Sequence, residues 1–333
     1  MDKESFKKNL ACGLGRCYLE LSACADRQPY REILLECCLT NPCFDTQCEG
    51  TRAKYLYELI KLFDDEGYFL PPVIDKFTRT DEEYGWEFEH LCDLVYEFAK
   101  DGNGNAADAL EDVYDRLYRI LLNKRNCEGY DNHRDNFERV SVNLVALCGV
   151  EKFLQIAENM GNLFMQNARY NGWDFESFYL ESNRLLGENC VKAIENSSDN
   201  SPALKEFFSS IYEALKPVQH SGKTQLVREY AATNEFYDVG GLINKLDKLD
   251  FDKDDEGDWH EVVIDLLNAA EGGADLPRSA LKFIYDNSLC SCCRSDAVKA
   301  MNARGWLTED IMRECEFDSY ADTREFIQAI KKR

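Results

Sequence analysis

Apolar residues recur at three- and four-residue intervals along most of the chain, the period that places them on one face of an α-helix. Tyr55, Leu56, Leu59, Ile60 and Phe63 share such a face, in a helix predicted to begin near Arg52 and end before Gly67. Thr80-Asp81-Glu82-Glu83 has the form of a capping box, in which Thr80 accepts from the Glu83 amide and Glu83 reaches back. The run after it carries Trp86, Phe88, Leu91, Leu94, Val95 and Phe98 and stops at Asp101-Gly102-Asn103-Gly104. A second run, Ala106 to Leu122, repeats the pattern with Leu110, Val113, Tyr114, Leu117 and Leu121. Two amphipathic helices joined by a Gly/Asn turn predict an antiparallel hairpin. Ser201-Pro202 reads as an N-cap followed by a first helical residue. No strand-like alternation between turn signals stands out.

The hairpin grammar recurs. Leu56-Tyr57-Glu58-Leu59 matches Val95-Tyr96-Glu97-Phe98, and Val263 to Leu267 with Ala280 to Ile284 repeats it near the other end. Arg294-Ser295-Asp296-Ala297-Val298 matches Arg324-Glu325-Phe326-Ile327, while Tyr285-Asp286 and Phe317-Asp318 are counterparts before them. Helical hairpins of this size bury their apolar faces by stacking. The stretch Asp286 to Ile330 resembles HEAT-type repeats, with Asp322-Thr323-Arg324 followed by Phe326, Ile327 and Ile330 as the closest copy. Tyr30 to Ile60, with Cys43 to Gly50 leading into Arg52, Tyr55 and Tyr57, is similar to uncharacterised bacterial HEAT-repeat proteins. The resemblance covers residues 10–165 and 255–330. It implies an all-α fold, an α-solenoid wound as a right-handed superhelix of roughly seven to nine hairpins. The expected organisation is HEAT-like repeats over 1–195, an irregular helical connection over 196–254, and further repeats over 255–333. Within such an array Arg294 and Arg324 are expected to tie turn carboxylates, with Asp286, Asp318 and Asp322 nearest.

Charge narrows the partners. Sixty-two Asp and Glu against 39 Lys and Arg give a formal net charge of -23, so neither a nucleic-acid backbone nor an anionic membrane is an expected ligand. A protein partner with a basic surface is. Met1 to Leu10 is charged and lacks the apolar core of a signal peptide, and Val140 to Val150 is too short to span a bilayer and contains Ser141 and Asn143. A cytoplasmic location is expected. Fifteen cysteines, an odd number in a chain of 333 residues, then read as thiols acting as small apolar side chains.

Chemistry-bearing motifs are sparse. Asp252, Asp254 and Glu256 alternate before Gly257 as in a calcium loop, but Val263 stands where a bidentate Glu is needed. A solvated acidic loop is the preferred reading. Cys290, Cys292 and Cys293 with Cys315, or Cys37 and Cys38 with Cys43 and Cys48, lack paired knuckles and a neighbouring histidine in sequence, so core packing is expected rather than zinc. Phosphate-binding motifs are absent, no catalytic set emerges, and no cofactor is expected. Gln47, Glu49, Arg52 and Tyr55 combine charge, hydrogen bonding and an aromatic ring at a helix entrance, and Trp173 leads an aromatic group. These are the candidate binding residues. For Glu49 and Arg52, local capping and pairing is the competing reading. The expected function is a non-catalytic scaffold or adaptor presenting an acidic solenoid surface. The alternative is an enzyme of the HEAT-like DNA glycosylase kind, which requires a basic groove.

Overall fold

The computed structural model describes residues 1–80, 85–123, 130–166, 176–187, 189–198, 201–207, 256–271, 273 and 276–332. The described residues form helices, turns and irregular segments, with no strand among them. In chain order the helices are α1 (Lys3–Cys12), α2 (Arg16–Ala23), a short 3₁₀ turn at Gln28–Tyr30, α3 (Arg31–Leu39), α4 (Thr46–Glu49), α5 (Ala53–Lys61), α6 (Glu66–Phe77) and α7 (Trp86–Lys100). There follow α8 (Gly104–Asn123), α9 (Tyr130–Cys148), α10 (Val150–Gln166), α11 (Glu176–Leu186) and α12 (Asn189–Ser198). The last are α13 (Glu256–Glu271), α14 (Arg278–Asn287), α15 (Ser291–Ala303), α16 (Glu309–Cys315) and α17 (Ala321–Lys331). None of the described helices is long and apolar enough to cross a membrane.

The chain divides into two compact units. One comprises Met1–Cys37, Pro42–Phe63 and Gln219–Arg333; the other comprises Cys38–Asn41 and Asp64–Val218. In the second unit the hairpin forms as its pattern requires. Phe88, Leu91, Leu94, Val95 and Phe98 of α7 are buried, as are Leu110, Val113, Tyr114, Leu117 and Leu121 of α8. Gly102, at φ +97°, takes the left-handed conformation that closes α7, and its amide donates to Ala99 O. The Asn103 carboxamide then accepts from the Ala106 amide and caps α8. α9 packs against both helices. Its polar residues are used inside: Ser141 Oγ donates to Phe137 O, and Asn143 donates to Asp93, which is also paired with Arg139. Glu83 lies outside the described residues, and Thr80 donates instead to Lys76 O at the end of α6. The helix expected from near Arg52 to before Gly67 is α5, which ends at Lys61, and Gly67 sits in the first turn of α6.

The first unit joins residues from the two ends of the sequence. Cys12 and Leu14 belong to one apolar cluster with Val263 and Leu266 of α13, Leu281 and Ile284 of α14, Val298 of α15 and Ile327 of α17. Two glycines permit that approach. A Cβ on Gly15 would lie 1.9 Å from Glu314 O, and one on Gly13 would lie 2.1 Å from Ser319 Oγ. Gly13 O accepts from the Ser319 amide at 2.8 Å. Arg16 completes the attachment: its guanidinium reaches Asp286 at 2.7 Å and Glu314 at 2.9 Å, and Tyr285 donates to the same Glu314 oxygen.

Candidate functional site

Among its described residues the first unit holds a dense polar network in its interior. Glu49 ends α4 and Arg52 precedes α5, and both side chains are only 2% exposed. Arg52 donates to Glu49 at 2.8 Å, to Pro42 O, to Leu289 O, to Ser291 Oγ and to Ala11 O. Ser291 opens α15 and donates to Glu49 at 2.6 Å, which sets a carboxylate at that helix's amino end. Arg294, fully buried one turn further on, donates to Ser291 Oγ and to the carbonyls of Ser288 and Leu289. Its guanidinium stands 3.7 Å from Asp318, whose Oδ1 accepts from the Tyr320 amide.

Opposite charges brought together out of water explain the titration of this network. Burial pushes the Glu49 carboxyl up, but Arg52 and the Ser291 hydroxyl outweigh it and hold the group below the usual carboxylate range. At Asp318 burial wins over Arg294 and the Tyr320 amide, and the carboxyl is raised.

Arg294 and Arg324 make the same local bonds. Arg294 donates to the carbonyls six and five residues behind it. Arg324 donates to those of Asp318 and Ser319, again six and five behind. The correspondence read from sequence between the two arginines is therefore repeated in hydrogen bonding. Carbonyls are the main acceptors, with Asp318 beside Arg294 as the carboxylate, while Asp286 is taken by Arg16.

Next to the network a cleft of about 200 Å³ opens to solvent, lined by Tyr18, Lys54, Tyr55, Glu58, Phe317 and Arg324, with Glu316 and Asp318. The Tyr18 and Phe317 rings stack at 4.3 Å and form an apolar wall. Tyr55 is buried beneath, its hydroxyl donating to Leu14 O at 2.8 Å. Three carboxylates and two cations line the cleft.

Of the residues singled out by sequence, Glu49, Arg52 and Tyr55 come together here, turned inward, with Tyr55 alone reaching the cleft. Gln47 lies in α4. Trp173, Asp252 and Asp254 lie outside the described residues, and Glu256 is the first residue of α13. As site residues, sequence reasoning missed Tyr18 and Lys54, which carry no motif, and Glu58 and Phe317, which it placed only in the repeat pattern. It also missed His260, whose ring nitrogen lies within 4.8 Å of the Cys290 and Cys293 sulfurs, themselves equally close. No protein family, curated relative or solved structure matches the chain.

Proposed function

We propose that the protein is a non-catalytic adaptor of HEAT-like α-solenoid type that holds a basic side chain of a protein partner in the Tyr18–Phe317 cleft. The observation that carries this reading is the composition and size of the cleft. Pockets for small-molecule ligands run to about 300–1,000 Å³, so about 200 Å³ suits a single anchoring side chain better than a metabolite. Aromatic faces attract a Lys or Arg head group, and the partly exposed Glu58 and Glu316, which pair with Lys61 and Lys331, offer it carboxylates at the rim. The net charge of -23 favours the same sign of partner at longer range. The repeated Arg294 and Arg324 bonds support the repeat architecture.

Affinity capture with the wild-type chain and with Glu58→Lys tests the reading. A basic protein recovered by the wild type and lost by a folded Glu58→Lys is the expected result. Equal recovery by both would move the binding surface elsewhere. Retardation of duplex DNA at low salt would favour the glycosylase-like alternative instead.

A further inference from the structure

His260 and the Cys290–Cys293 pair are thirty residues apart in sequence but converge in the first unit. His260 sits on α13; Cys290 is the N-cap of α15 and Cys293 lies one turn inside it. The imidazole nitrogen and the two sulfurs all lie within 4.8 Å of one another. Both cysteines are buried and the histidine is half-buried, with its ring edge-on to Phe44 at 5.2 Å between centroids. We propose that His260, Cys290 and Cys293 form a binding site for a soft divalent cation of the zinc class.

The chemistry of the donors supports that ligand over the alternatives. Two thiolates and an imidazole are the set that zinc prefers, whereas calcium and magnesium require oxygen. The two thiolates also neutralise the dication, so no net charge is left in the apolar surroundings. A Cys-x-x-Cys pair opening a helix sets both sulfurs beside first-turn amides that lack intrahelical partners, and Cys290 makes no side-chain capping bond of its own. Tetrahedral zinc with bonds of about 2.0–2.3 Å separates its ligand atoms by roughly 3.5–3.8 Å. Closure from the observed separation therefore needs adjustment on the order of 1 Å, within the range of side-chain rotation. Water supplies the fourth ligand on the side of the half-exposed imidazole. Cys292, also on α15, is not a member of the three-way cluster.

The test uses the full-length protein, reduced and stripped with a chelator, then titrated with zinc alone and separately with cobalt as a spectroscopic probe. A single tight equivalent is expected, with the tetrahedral cobalt spectrum and thiolate charge-transfer bands. Cys290→Ser and Cys293→Ser should each abolish binding, His260→Ala should weaken it about tenfold or more, and Cys292→Ser should leave it intact. Circular dichroism establishes that each variant is folded. Failure of the folded wild type to take up zinc would overturn the proposal. So would uptake that survives both cysteine variants, loss of uptake in a folded Cys292→Ser, or a Cys290–Cys293 disulfide in the native protein that returns after reduction in the presence of zinc.

Discussion

Arg52 shows how one side chain can be both legible and misleading in sequence. Its place outside the apolar stripe of α5 and its spacing from Glu49 announce a polar pair, and that pair exists at 2.8 Å. What hydropathy does not carry is the cover supplied by Ala11, Leu289 and Ser291, from segments far away in the chain. Polarity predicts exposure only when nothing satisfies the group inside. Arg52→Ala removes a buried guanidinium and leaves Glu49 uncompensated, so it should cost about 3–5 kcal/mol, read from urea unfolding. Glu49 also predicts a pH response. A carboxyl held low in the folded state stabilises it above the unfolded value of about 4.3, and that stability drains away as pH falls through the folded value. Asp318, raised by burial, runs the other way: its contribution is present at low pH and lost as pH rises through its folded value. Glu49→Gln should therefore flatten the loss of stability as pH falls from about 5 through the folded value, and unchanged steepness would assign that loss to other carboxylates.

At the scale of elements, sequence carried the all-helical character of the described residues and the α7–α8 hairpin, where period and turn residues agree. It did not carry α6 across Pro71 and Pro72, where two residues without amide protons lie inside a helix. Nor did it carry the closeness of the α1–α2 turn to the α16–α17 turn, which depends on the absence of two side chains. Gly15 gives this a clean test. Its backbone, at φ -62° and ψ -15°, is one alanine adopts without strain, so the conformation alone does not demand glycine. Here the added carbon meets the Glu314 carbonyl, backbone against backbone, and Gly15→Ala should instead destabilise by about 1–3 kcal/mol. A stabilised variant would show that the two turns are not in contact in solution. His260 illustrates the same limit from the chemical side. A lone histidine and one Cys-x-x-Cys carry little information until α13 and α15 share a core.

At the scale of the whole molecule, the first unit takes its residues from both sides of Asp64–Val218, the main segment of the second: Met1–Cys37 and Pro42–Phe63 precede that segment and Gln219–Arg333 follow it. Synthesis runs from the amino end at about 5–20 residues per second, so these partners do not emerge from the ribosome together. The early segment presents Cys12, Leu14, Arg16 and Arg52 without the surfaces that receive them, while every residue of the second unit has already been made. A released fragment ending at residue 218 should accordingly resist protease over α6 to α12 and be cut within α1 to α5, with protection of the latter gained only in the full-length chain. Until then the apolar side chains of the amino-terminal segment, Cys12 and Leu14 among them, lack the core that buries them in the finished chain.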